Sequence, residues 1–170
     1  MSGGVHLRRA TEDDVDFLVG LAGNEAIAPF LAVVSARDAD GFRAELAAAE
    51  QAPTERGRYV IEHDGDRVGA VAFSVSNRRS AIAHLYGLML DPAARGRGLA
   101  REATRAFARH LFDELGYHRI ELECYGFNER AMRHFEACGF VREGVKRQAY
   151  RRGDGWVDGV CFGLVFDDPF

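Results

Sequence analysis

The chain has 170 residues, 47% of them hydrophobic and 28% charged, and a formal net charge of −4. That length fits one domain with a real hydrophobic core, and the composition is that of a globular protein in water. No apolar run reaches the roughly 18 residues of a membrane span, and the first residues lack the basic, apolar, small-residue order of a signal peptide, so a cytoplasmic location is expected. The negative charge argues against a general nucleic-acid footprint. Cys124, Cys138 and Cys161 form no CxxC pair and read as reduced, packed thiols. Of the 22 basic residues only Lys146 is lysine, a bias from which composition alone draws no function.

In chain order, Val5 to Arg9 alternates like a short strand. Thr11 with acidic Asp14 three positions on resembles a capping box opening a helix over about 12–22, which Gly23-Asn24 ends. Strong helix formers predict a second helix over about 38–50. From Tyr59 the period becomes that of strands, with a hairpin turning at Asp64-Gly65-Asp66. A third strand covers about 81–90, and a helix follows Gly98. Its apolar stripe is Leu99, Ala103, Phe107, Leu111 and Leu115. A strand over 120–125, a helix from Asn128 to Ala137 and two strands flanking Gly153-Asp154-Gly155 complete the order. Mixed hairpins and helices predict an α+β fold with a mixed sheet, in a single domain over 1–170.

The segment between the third strand and the long helix, "DPAARGRGLAREA", carries two glycines and three arginines. Amide groups at a helix start have no intrahelical partner, and the macrodipole places positive potential there. Gly96 and Gly98 allow a tight bend and close approach of a ligand, and Arg95, Arg97 and Arg101 add charge, which makes an anion site suited to phosphate or pyrophosphate. Arg105 and Arg109 continue the basic face and read as solvated. The P-loop pattern and an early GxGxxG are both absent.

Arg95-Gly-Arg-Gly-Leu99-Ala100 fits R-x-x-G-x-A, and "NERAMRHFEACGF" supplies Asn128, Ala131, an aromatic at Phe135 and Gly139-Phe140 downstream. On these two motifs the chain resembles the GNAT superfamily of N-acetyltransferases. Its start, "LRRATEDDVDFL", and its ending resemble the RimJ/RimL-type branch, which acetylates protein N-termini and small amines. The resemblance implies a mostly antiparallel mixed sheet flanked by helices, with strands 81–90 and 120–125 splayed around acetyl-CoA. It implies that Leu88, Met89 and Leu90 bond the pantetheine arm, that the amides from Arg95 to Ala100 take the pyrophosphate, and that Asn128 and Phe135 contact the cofactor. Asn128 is equally suited to an N-cap.

Direct transfer to an amine needs a base, oxyanion donors and an acid for the departing thiolate. The resemblance places a base at His84, with an ordinary pKa of about 6.5. Many members carry tyrosine where this chain has Phe135, which has no hydroxyl to give, so either Tyr86, Tyr125 or water is the acid or the thiolate leaves unprotonated. Glu25 is a surface carboxylate or else a second candidate base or ammonium holder, Trp156 is either an acceptor-pocket wall or a packed strand residue, and Arg151-Arg152 reads as a solvated turn. Spaced metal ligands are absent from the sequence, so no metal is expected. The partners implied are acetyl-CoA and an amine acceptor, with a homodimer left open. The alternatives are a non-catalytic acyl-CoA-binding module and an RNA-associated protein using the arginine face.

Overall fold

Seven strands form one sheet in the order β1-β2-β3-β4-β5-β7-β6. In this computed structural model, which describes residues 3–31 and 35–170, the strands are β1 (Val5–Arg9), β2 (Arg56–His63), β3 (Asp66–Asn77), β4 (Ile82–Leu90), β5 (Arg119–Tyr125), β6 (Val141–Arg152) and β7 (Gly155–Val165). The helices are α1 (Val15–Ala22), α2 (Ala39–Gln51), α3 (Leu99–Arg109) and α4 (Glu129–Ala137). Every strand pairing is antiparallel except β4 with β5. The mixed, mostly antiparallel sheet with flanking helices is therefore present. Among the described residues no helix is long and apolar enough to cross a membrane.

Local chemistry accounts for the element boundaries. The Thr11 amide donates to Asp14 Oδ2 at 2.8 Å, so the capping box starts a short 3-10 turn, Glu12–Asp14, that runs into α1. Asp38 caps α2 by accepting from the Gly41 amide at 2.8 Å. At the β2–β3 hairpin Asp64 has φ 53° and Gly65 φ 87°, the left-handed pair that a two-residue turn of this kind requires.

The two faces of the sheet bury different partners. One face holds Tyr59, Phe73, Leu85, Ile120 and Phe162 against Phe107 and Leu111. On the other, Ala70 and Met89 pack under Leu18 of α1 and Phe42 of α2. Full burial of each large apolar side chain is worth roughly 1.5–3 kcal/mol, so these layers hold the sheet in place.

One expectation is corrected. The stripe through Leu111 is buried, but regular α-helix ends at Arg109 and His110–Glu114 form a π turn. The wider turn brings neighbouring Leu111 and Phe112 both into the core, and leaves His110 Nε2 2.8 Å from the buried Tyr59 hydroxyl. A four-residue spacing read from sequence cannot register that change of period.

Candidate active site

β4 and β5 run side by side only from Ile82↔Arg119 to His84↔Glu121, and pairing stops there although both strands continue. The sheet is split at this point. On its other edge β4 is also irregular: Tyr86 pairs with Ala72 and Met89 with Ala70, so Gly87, at φ 60°, and Leu88 bulge out of the ladder. The gap opens into a cavity of about 600 Å³ whose wall includes Leu88, Met89, Leu90, Leu122 and Cys124.

One end of the cavity meets the start of α3. Asp91 caps a short turn over Pro92–Ala94, accepting from the Ala93 amide at 2.9 Å, and the chain then passes Gly96 and Gly98, both at φ 77°. Only glycine adopts that conformation readily, and a Cβ at either position would meet nothing within 4 Å, so the loop faces open space. Gly98 is the N-cap of α3 and has no side chain to bond its first amides, which leaves them free for an anion. Arg95 and Ala100 line the cavity with Arg130. Arg95 Nε is buried with no partner among the described residues, and burial, then Arg130, pulls its pKa down from the usual arginine value. A buried unpaired guanidinium N–H beside a cap-free helix start fits a pyrophosphate, and a cavity of about 600 Å³ with apolar walls has room for a pantetheine arm.

The remaining loop residues stand at the rim. Arg97 donates to His63 Nε2 at 2.9 Å, Arg101 is exposed, and Leu99 packs into the core beneath the loop. Asn128 lines the cavity and also caps α4, accepting from the Ala131 amide at 3.1 Å. Phe135 lines it while packing on Phe140 at 5.6 Å and Phe162 at 6.4 Å between ring centres.

The other end of the cavity is acidic and aromatic: His84, Tyr86, Glu123, Tyr125, Phe127 and Tyr150. The His84 ring stacks on Tyr86 at 6.0 Å. Burial lowers its pKa against the opposing pull of Glu121 and Glu123, with Lys146 lowering it further, so the imidazole is neutral near pH 7. Burial also raises the Tyr86 phenol, which keeps its proton. Glu123 accepts from the Tyr150 hydroxyl through one oxygen and from Lys146 Nζ at 2.6 Å through the other. Burial, then Glu123, raises the Tyr150 phenol, and burial pushes the Cys124 thiol up to about 11, so neither ionises near neutral pH.

Glu25 is a surface carboxylate, exposed and outside the cavity wall, which its neighbours Ala26 and Ile27 reach instead. Two expectations about this end do not hold. Trp156 is 59% exposed near the tip of the β6–β7 hairpin and is neither a cavity wall nor packed. Arg152 is not a solvated turn residue: its guanidinium lies 4.8 Å over Phe127 and 5.1 Å over Tyr125 and donates to the Pro29 carbonyl at 2.6 Å. Sequence reading passed over Glu123. Its only signal was a second acidic residue, in step with Glu121, in an otherwise apolar strand.

The comparison with known families decides the assignment. A model of the acetyltransferase (GNAT) domain matches residues 5–141. The chain belongs to the GNAT family of acetyltransferases. It is similar to the SPbeta prophage-derived uncharacterized N-acetyltransferase YokL of Bacillus subtilis, 29% identical over 70% of this chain and 67% of that protein. It is likewise similar to the probable N-acetyltransferase YjcK of the same organism, 33% identical over 62% of this chain and 58% of the relative. Among solved structures, the spermidine N-acetyltransferase from Vibrio cholerae in complex with CoA and spermine superposes with a TM-score of 0.82. That likeness covers 95% of both chains at 22% identity and speaks for the fold. As a GNAT member the chain is an N-acetyltransferase by class.

Proposed function

We propose that residues 1–170 act as one acetyl-CoA-dependent N-acetyltransferase domain that transfers acetyl directly to a primary amine in a ternary complex. The observation that carries this is the single cavity between β4 and β5. It joins the cap-free, arginine-rich start of α3 to the His84–Glu123 end. Acetyl-CoA lies with its pyrophosphate on the amides from Arg95 to Ala100 and its pantetheine along Leu88, Met89 and Leu90. Arg97 and Arg101 supply charge at the rim. Asn128 and Phe135 border the arm.

The chemistry falls to the residues at the far end. Neutral His84 accepts the proton of the incoming ammonium, directly or through water, and the lone pair so released attacks the thioester carbonyl. Gly87 and Leu88, out of the ladder and in the cavity wall, supply the backbone amides for the oxyanion. Because Phe135 has no proton to give, Tyr86, beside His84 and still protonated, serves as the donor to the departing thiolate.

A carboxylate among aromatic rings suits an ammonium group, which favours a small amine; the Vibrio enzyme of the same fold is a spermidine N-acetyltransferase, solved in complex with CoA and spermine. The RimJ/RimL-type resemblance supports a protein N-terminus instead, and both are primary amines. Acetyl-CoA as donor goes with work in the cytoplasm. Calorimetric titration with acetyl-CoA, followed by thiol-release assays over polyamines, amino acids and N-terminal peptides, tests the reading. Binding with turnover on one class of amine is the expected result, and no binding would overturn it.

A further inference from the structure

The only lysine in the chain is paired with a carboxylate of the cavity wall, Glu123. Lys146 lies on β6 opposite Gly159 of β7, and its Nζ reaches Glu123 Oε2 at 2.6 Å. Glu123 lines the cavity together with Tyr150, whose hydroxyl holds the other carboxylate oxygen. The Lys146 charge also disfavours the His84 imidazolium. The other basic residues, all arginine, carry delocalised guanidinium groups and are no acceptors for acetyl transfer.

Two features leave this amine free to move. Its side chain is 58% exposed, on a flexible four-carbon stem. The β6–β7 register is also interrupted between Lys146 and Tyr150, where Gln148 takes φ 50° and its amide turns to Asp158 Oδ1 at 2.7 Å. The Lys146 ammonium thus occupies the carboxylate that an external ammonium would use, and it does so while tethered.

We infer that Lys146 is an acetyl acceptor of its own chain: the protein acetylates the Lys146 Nζ in cis from acetyl-CoA. This rests on the acetyl-transfer reading above. In the step, the ammonium leaves Glu123 and gives one proton to neutral His84, directly or through water, which passes it to solvent. The neutral Nζ attacks the thioester carbonyl, forming the C–N bond, and the C–S bond then breaks. The second proton lost by nitrogen ends on the departing thiolate, giving acetyl-lysine and CoA thiol. The product amide has no charge, so the ion pair with Glu123 is lost.

The test is a time course of intact mass and peptide mapping on the purified chain incubated with acetyl-CoA. Calorimetry and thiol release on an external amine are measured on the same preparation. Addition of one acetyl group at Lys146 is expected. The rate should exceed that of a free peptide of the same local sequence by about 100-fold or more, because the amine is held at high effective concentration. It should not depend on protein concentration, should fall with excess CoA, and Lys146→Arg should abolish it. A chain that binds acetyl-CoA and acetylates an external amine while Lys146 stays unmodified, or labels no faster than the peptide, overturns the inference alone. A rate proportional to protein concentration overturns the cis route. A chain that neither binds acetyl-CoA nor releases thiol overturns the acetyl-transfer reading, and this inference with it.

Discussion

His84 and Glu121 are the last register pair between β4 and β5, and beyond them the two strands part. The imidazole therefore stands at the fork of the sheet, where the cavity begins, and a change there acts on chemistry more than on pairing. His84→Ala is expected to lower kcat by about 100-fold or more while acetyl-CoA affinity is kept. Burial holds the His84 pKa below its ordinary value, so the parent rate falls only as pH drops through that lowered pKa. The variant should lack this acid limb in its pH–rate profile; an unaltered limb would move the base elsewhere.

Gly98→Asp places a carboxylate where the first amides of α3 face the anion site. Acetyl-CoA binding should disappear in calorimetry. Gly98→Asn carries the same shape without charge and tolerates φ 77° better than most residues. It should keep clearly tighter binding than the aspartate, which separates charge from strain.

Gly159 faces the Glu123 carboxylate, and a Cβ there would collide with it and come within 2.8 Å of the Tyr150 ring. Gly159→Ala should displace Glu123 and separate it from Lys146. If Glu123 holds the acceptor ammonium, KM for the amine rises about tenfold or more, equivalent to 1.4 kcal/mol, with acetyl-CoA affinity unchanged. Steady-state kinetics in both substrates read the difference.

Asp14 is buried and held by Arg8 at 2.7 Å and Arg67 at 3.3 Å, which keeps its carboxyl well below the usual carboxylate range. Its stabilisation is full above the unfolded pKa of about 3.9 and is lost as pH falls toward the depressed folded value. Asp14→Asn should cost about 2–3 kcal/mol in urea unfolding at neutral pH, at or below the low end for a fully buried pair because both arginines reach solvent. The cost should shrink as pH falls below 3.9, since the parent then loses the same interaction.

Much of the fold was legible because it is written in short-range chemistry. The capping box at Thr11, the Asp64-Gly65 turn, the apolar stripe of α3 and the glycines before it each act within a few residues, and each formed where its pattern placed it. The glycine loop at Gly96 and Gly98, proposed to hold the pyrophosphate, is of the same kind, since backbone conformation and helix polarity are local properties. The π turn at His110–Glu114 was not legible, because it answers to packing against Tyr59 and the sheet.

The His84–Glu123 end of the cavity lay beyond sequence reading for a different reason. Pro29, Glu123 of β5 and the β6 residues Lys146, Tyr150 and Arg152 come from three separated segments and meet only because β7 lies between β5 and β6 and the hairpin tip reaches back. No spacing encodes that order of strands. By itself the sequence determined the helices, the hairpin, the anion loop and the family motifs, through contacts that close within one or two turns. Only the tertiary structure decided which carboxylate enters the cavity, that Glu25 stays outside it, and that the one lysine pairs with that carboxylate, because such contacts depend on strand order and burial.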